Sequence, residues 1–287
     1  MNKERILYED KDLIVCHKAS GIATQTARVG QADMVSEVTN YLTMRSFNNT
    51  KTKDGRRSQN KTEMQNGKYN HASQSTPYVG VVHRLDQPVE GILVFARNKQ
   101  AAADLGRQIT ENRMEKYYYA VVCGQNFNKC GELTDYLLKD GRTNTSRIVP
   151  PEMKDARKAV LEYGILTEIT AERNFATRSS SERSVSEVVS VADTNPLRLA
   201  LARIRLHTGR HHQIRVQMSH AGMSLLGDYK YADTETVRIS EQMHVKEVAL
   251  CAYRLSFQHP KTGKRMDFQI RPEGKSFQAE EFSAYYI

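Results

Sequence analysis

The sequence predicts a single α/β (α+β) domain over residues 1–287. Three observations carry that prediction. Segments of strand character alternate irregularly with amphipathic helical segments, and no internal repeat is present. At 287 residues and 39% hydrophobic composition, the chain is long enough to bury a sizeable core. Two polar stretches, at about 45–75 and 169–196, interrupt this pattern without dividing it into modules.

In chain order, "ILYEDKDLIVCHKASGI" reads as two short strands turning at Asp10-Lys11-Asp12. From Asp33 to Leu42, the spacing of Met34, Val38, Tyr41 and Leu42 predicts a helix that Asp33 can cap. Residues 45–75 carry seven Lys/Arg against two acids and almost no aliphatic side chains, which predicts a loop. Two readings of it stay open: a solvated insertion, or a basic arm on a polyanion. "GILVFA" (91–96) is an unbroken apolar run, as in a central strand. Asn98 precedes Ala101, Ala102, Leu105 and Ile109 at helical spacing. "EKYYYAVVCG" (115–124) and "DARKAVLEYGIL" have strand character. Residues 169–196 read as a long irregular connection. "LRLALARIRLHTGRHHQIRVQMSHAGMSLLGDYKYA" reads as strand, turn, helix and loop, with Gly222 as the helix stop. "ALCAYRLSFQHPKTGKRMDFQI" reads as a hairpin turning at Lys261–Lys264.

Forty-two Lys/Arg against 33 Asp/Glu give a net charge of +9, which favours a polyanionic partner. The four cysteines are scattered without a C-x-x-C pair, so neither a disulfide framework nor a metal knuckle is indicated, and the pattern fits a reducing cytoplasm. The charged N-terminal stretch is neither a signal peptide nor a membrane anchor. A Gly-rich phosphate loop and a G-x-S-x-G elbow are both absent. His207, His211 and His212 lie close in sequence, but no Cys or H-E-x-x-H pattern accompanies them, so no metal is expected.

The most unusual stretch is "VVHRLDQPVEGILVFARN" (81–98). There Asp86 sits before a buried strand, next to cations and with no second acid close by. Such an acid serves as a base or a nucleophile if it is ionised, and "GRHHQIR" offers the guanidiniums Arg210 and Arg215 to keep it so. The other reading is a buried ion pair that only ties two elements together.

"HRLDQPVEGILVFARN" resembles the catalytic motif of the RluA family of RNA pseudouridine synthases, H-R-L-D-x-x-T-S-G-x-x-x-x-A-[KR]. "KYYYAVVCG" resembles that family's K-x-Y-x-A-x-V-x-G, and "LHTGRHHQIRVQMSHAGMSLLGD" its L-x-T-G-R-x-H-Q-I-R-V-H motif ending in G-D. The match runs from about residue 6 to 271, interrupted by the two insertions. The resemblance implies a bent, largely antiparallel mixed β-sheet flanked by helices, with a central cleft. It implies base flipping of a uridine in ribosomal or transfer RNA and its isomerisation without a cofactor. It places the catalytic aspartate at Asp86, the site tyrosine at Tyr118 and the site arginine at Arg215. Arg84 would fill the gap left by the flipped base or hold phosphate. Lys116, Arg210 and Gln213 are further RNA-contact candidates, as is His83, whose role reads as structural rather than catalytic. Whether Asp86 attacks sugar or base, or acts through a glycal, stays open.

The family's Thr-Ser is Val89-Glu90 here, Gln217 replaces a usual histidine and Ser224 a common proline. Glu90 is expected to bring negative charge close to the RNA. Further expectations are a cytoplasmic monomer with RNA as partner, no obligatory protein partner and no membrane, and no N-terminal RNA-binding module of the ribosomal-protein type. An RNA-binding protein without catalysis is the alternative function.

Overall fold

The computed structural model describes residues 3–26, 30–53, 76–170 and 198–286. Its elements are β1 (Ile6–Glu9), β2 (Leu13–Lys18), α1 (Met34–Lys53), β3 (Gly80–Val81), β4 (Glu90–Ala96), α2 (Lys99–Thr110), β5 (Glu115–Gly124), β6 (Cys130–Asp140), β7 (Thr145–Ile148), β8 (Arg157–Thr170), β9 (Arg198–Leu206), α3 (Gln213–His220), β10 (Ser224–Leu225), α4 (Thr234–Gln242), β11 (Leu250–Gln258), β12 (Arg265–Gln269) and α5 (Glu280–Ser283). The described strands form one sheet in the order β1-β2-β4-β11-β5-β9-β8-β6-β7, with β3, β10 and β12 paired at its sides. Among the described strands, every pairing is antiparallel except β4 with β11, so the sheet is mixed but largely antiparallel.

The period-two alternation of strands sorts the side chains into layers. On β5, Tyr118, Ala120 and Val122 share a front cluster with Ile14 and Cys16 of β2, Leu93 and Phe95 of β4, and Met34, Val38 and Leu42 of α1. On the back, Tyr119, Val121 and Cys123 pack with Ile239 of α4 and with Phe277 and Phe282 near the C-terminus. Ala101 and Leu105 of α2 cover the back of β2 and β4. The strands of this sheet are thus held between helices, α1 and α3 in front and α2 and α4 behind.

The predicted caps and turns form. Asp33 accepts from the Ser36 N–H at 2.7 Å, and Asn98 from the Ala101 N–H at 2.8 Å. Gly222 takes φ +73°, and the Met223 N–H reaches the Met218 carbonyl, closing α3. Three segments differ from the reading of the sequence. α1 continues to Lys53, past residue 45 where a loop was predicted, since no Gly or Pro intervenes before Gly55. β8 continues through Ile169 and Thr170, which were assigned to the irregular connection. The strands β6 and β7 and the helices α4 and α5 lie where the sequence offered no clear pattern. The remainder of both insertions, 54–75 and 171–197, falls outside the described residues. Among the described residues, no helix is long and apolar enough to cross a membrane.

Candidate active site

An open cleft of about 780 Å³ lies on the front face, lined by the 82–89 segment, Lys116 and Tyr118 of β5, and the start of α3. Among the described residues that line it, six carry Lys or Arg side chains (Arg84, Lys116, Lys139, Arg210, Arg215 and Lys230) and one, Asp86, carries a carboxylate.

Asp86 opens a tight turn, its carbonyl accepting from the Val89 N–H at 3.0 Å. The turn is fastened from below. Lys18 at the end of β2 is fully buried, and its ammonium donates to the carbonyls of Ala19, Ile22 and Gln87 at 3.0, 2.7 and 3.1 Å. Burial pushes its pKa down to about 8, against the pull of the Asp86 and Glu90 charges. The Thr24 hydroxyl donates to the Leu85 carbonyl and accepts from the Leu85 N–H, fixing the residue just before Asp86.

The first turn of α3 brings Arg215 beneath Asp86. Its Nη1 lies 3.2 Å from the Asp86 carboxylate, while Nε and Nη2 each donate to Asp228 at 2.7 Å. Asp228 is 1% exposed, so the planar fork is held in place and its third donor is aimed into the cleft. The Tyr231 ring lies 5.0 Å from the same guanidinium. His212, in the left-handed region at φ +53°, puts Nε2 3.6 Å from the Asp86 carboxylate. Its Nδ1 shares a hydrogen bond with the Tyr231 hydroxyl at 2.6 Å, and burial lowers its pKa to about 4. The imidazole is therefore neutral near pH 7, so Arg215 supplies the permanent positive charge at the acid.

Tyr118 lines the cleft from β5. Burial, reinforced by the Asp86 charge, raises its pKa, so the phenol stays protonated and acts as a donor rather than a base. Lys116, two residues earlier on the same face, is nearly buried; burial and the Arg210 charge lower its pKa. Arg84 is exposed at the rim. Arg210 is exposed and bonds the Lys158 carbonyl at 2.9 Å, so Arg215 and not Arg210 pairs with Asp86. Thus Asp86, Arg215 and Tyr118 share the cleft with Arg84, Lys116 and Arg210.

Two candidates are turned to other work. The Gln213 amide donates to the Val160 carbonyl and to Gln217, while its oxygen accepts from Thr208 and the Arg210 N–H, leaving no free group for RNA. His83 lines the cleft, but its Nε2 accepts from the Val94 N–H at 3.2 Å, tying the 82–86 segment to β4. Burial, with Lys116 adding to it, lowers its pKa to about 3 and keeps it an acceptor. Glu90 also differs from expectation. It lies on the back face, buried, and accepts from the N–H groups of Glu273 and Gly274 at 3.2 and 3.1 Å. The sheet stands between its charge and the cleft. Gln217, in the histidine's place, bonds Asp135 and the carbonyls of Leu133 and Ala159, joining α3 to β6 and β8. The three histidines do not form a common ligand set: His207 pairs with Glu162, while His211 and His212 stack at 3.7 Å and bond to different partners.

Lys18, Asp228, His212 and Tyr231 were missed as site residues. Asp228 closes the third motif, and its spacing of 13 from Arg215 was the available signal. Lys18, a lysine ending an apolar strand, was a signal of a buried cation needing partners.

The family model described as RNA pseudouridylate synthase matches residues 12–220. A ribosomal large subunit pseudouridine synthase C of Pasteurella multocida is 29% identical over 95% of this chain and 66% of its own length. A tRNA pseudouridine synthase C of Haemophilus ducreyi is 32% identical over 66% of this chain and 70% of its own. An RNA pseudouridine synthase of Bacillus subtilis is 29% identical over 66% of this chain and 51% of its own length.

 The chain therefore spans about half the length of the Bacillus protein and about two thirds of the Pasteurella one. Among solved structures, Human RNA Pseudouridylate Synthase Domain Containing 1 superposes with a TM-score of 0.60 over 98% of this chain and 86% of its own, at 17% identity, which is a likeness of fold.

Proposed function

We propose that this chain, which belongs to the RNA pseudouridylate synthase family, isomerises uridine to pseudouridine at specific positions of ribosomal or transfer RNA, and acts as a single catalytic domain. One observation carries the reading. Among the described residues lining the cationic cleft, the one carboxylate, that of Asp86, is bonded by a buried guanidinium that is itself fixed by two bonds to Asp228.

The cationic rim suits the phosphates of a folded RNA. The target base leaves its stack and enters the cleft, and Arg84, exposed at the rim, takes the vacated space or a phosphate. Asp86 promotes cleavage of the bond between C1′ and N1. The uracil turns within the pocket and C1′ is joined to C5. The C5 proton is lost to solvent and N1 gains one, so the atoms balance without a cofactor or an energy source. Arg215 orients the Asp86 carboxylate and faces it with a permanent positive charge as water leaves the cleft. Tyr118 packs against the base and offers its phenolic proton. RNA is the partner, the protein works as a monomer, and its free cysteines suit the cytoplasm.

Tritium release from RNA labelled at uracil C5 tests this directly. The wild-type chain releases tritium, and Asp86→Asn releases none while still binding RNA, because the amide keeps the shape but neither attacks nor carries charge. Multiple turnover by Asp86→Asn would end the assignment. An inert wild-type chain that binds RNA would make it a binding protein.

A further inference from the structure

We propose that His17, Glu90 and Glu273, on the back face of the sheet, form a site for a divalent transition-metal ion, of which Zn²⁺ is the best match. The inference is independent of the function proposed for the cleft.

Strand register brings the donors together. β2 and β4 are neighbours, with His17 opposite Ile92, and Glu90 is paired with Cys251 of β11. Glu273 comes from the segment after β12. One ligand atom from each of His17, Glu90 and Glu273 lies within 4.8 Å of the others. His17 is only 6% exposed, and its Nε2 is buried without a hydrogen-bond partner, 4.0 Å from the Glu90 carboxylate. Its Nδ1 is 3.5 Å from Glu273.

The donor set is one imidazole and two carboxylates, which suits a borderline ion such as Zn²⁺. Arg5, which bonds Glu273 at 3.1 Å, and Lys18 both place positive charge beside the two carboxylates. Among the described residues, Asp10, Asp12 and His259 form the other such cluster, but it is closed. There His259 Nε2 bonds Asp10 at 2.7 Å, and Nδ1 accepts from Lys261 and Thr262. Only the His17 cluster has an orphaned nitrogen. An ion there would join β2, β4 and the C-terminal segment directly behind the Asp86 turn.

The full chain, purified without a histidine tag and stripped with a chelator, is titrated with Zn²⁺ by calorimetry, and its melting is followed in parallel. The expected result is one zinc per chain and a zinc-dependent rise in Tm. His17→Phe and Glu90→Gln abolish both. Glu273 has a 57% exposed side chain, so Glu273→Gln should fold normally while its zinc affinity falls about 10- to 100-fold. Cys130→Ser, which alters an exposed thiol away from the cluster, leaves binding unchanged. If no zinc binds, or if stoichiometric binding survives both Glu90→Gln and Glu273→Gln, the site holds only water and the proposal fails.

Discussion

Replacing Arg215 by Leu separates what this residue does for folding from what it does at the cleft. The guanidinium makes two bonds of 2.7 Å to Asp228 and one of 3.2 Å to Asp86. The Asp86 side chain is 26% exposed and can turn to water, whereas that of Asp228 is 1% exposed and cannot. The stability loss therefore comes mainly from Asp228, left as an uncompensated buried charge at a cost of about 3–5 kcal/mol. In a domain of this size that lowers Tm by on the order of 10 °C. The Arg215→Leu/Asp228→Leu double variant removes both charges and should regain most of that stability, since apolar replacement of a whole buried pair is often close to neutral. It should not regain tritium release, because Asp86 still lacks its cation. Arg215→Lys retains a point charge without the fork, and is expected to melt between the two and to keep reduced turnover. Calorimetric melting and tritium release on the same samples give both readouts. Melting of Arg215→Leu within a degree of wild type would refute the buried-pair argument. Wild-type turnover by the double variant would refute the role of the Asp86 contact.

Acid should destabilise the fold through His83 and His212, held neutral by burial with pKa values of about 3 and 4. Unfolded imidazoles take up protons near pH 6.5, so stability falls as the pH drops from there toward the folded values, by up to about 1.4 kcal/mol per pH unit for each histidine. Urea denaturation at pH 7, 6 and 5 measures the slope, and His83→Gln should flatten it; an unchanged slope counts against the assignment. Replacing residues 54–72 with a short Gly-Ser linker should leave Tm unchanged, because the sequence there has little to bury. If this stretch is a basic arm, RNA binding weakens and its salt dependence becomes shallower, whereas an unchanged salt slope favours the solvated insertion.

The elements that were legible in the sequence are those with strong apolar periodicity or clear punctuation. β4 is buried at every residue, α2 has its Asn98 cap, and Gly222 stops α3. β6 was not legible because only Leu137 is buried among its eleven residues, so it presents no apolar face. Asp86, Tyr118 and Arg215 could be placed from three motifs, but the motifs could not show which groups were already occupied. Gln213 and His83 are polar residues beside the site whose bonds run inward, and Glu90 faces the other way because β4 alternates. Such partnerships depend on strands distant in sequence, and residue type alone does not reveal them.

The single parallel pairing among the described strands also governs when the cleft can exist. β4 follows Asp86 and β5 carries Tyr118, yet the two are not neighbours in the sheet, because β11 lies between them. Gly91 has φ +141°, and a Cβ there would come within 2.4 Å of the Ala252 Cβ, so β4 and β11 meet at a seam with no room to spare. On the ribosome, a nascent chain that has reached Tyr231 already contains Asp86, Tyr118 and Arg215, but its sheet still lacks the central strand. The cleft closes only after Gln258 has emerged and β11 has inserted, a late, long-range step in folding. A chain truncated before β11 would therefore keep each of the three residues and still be inert.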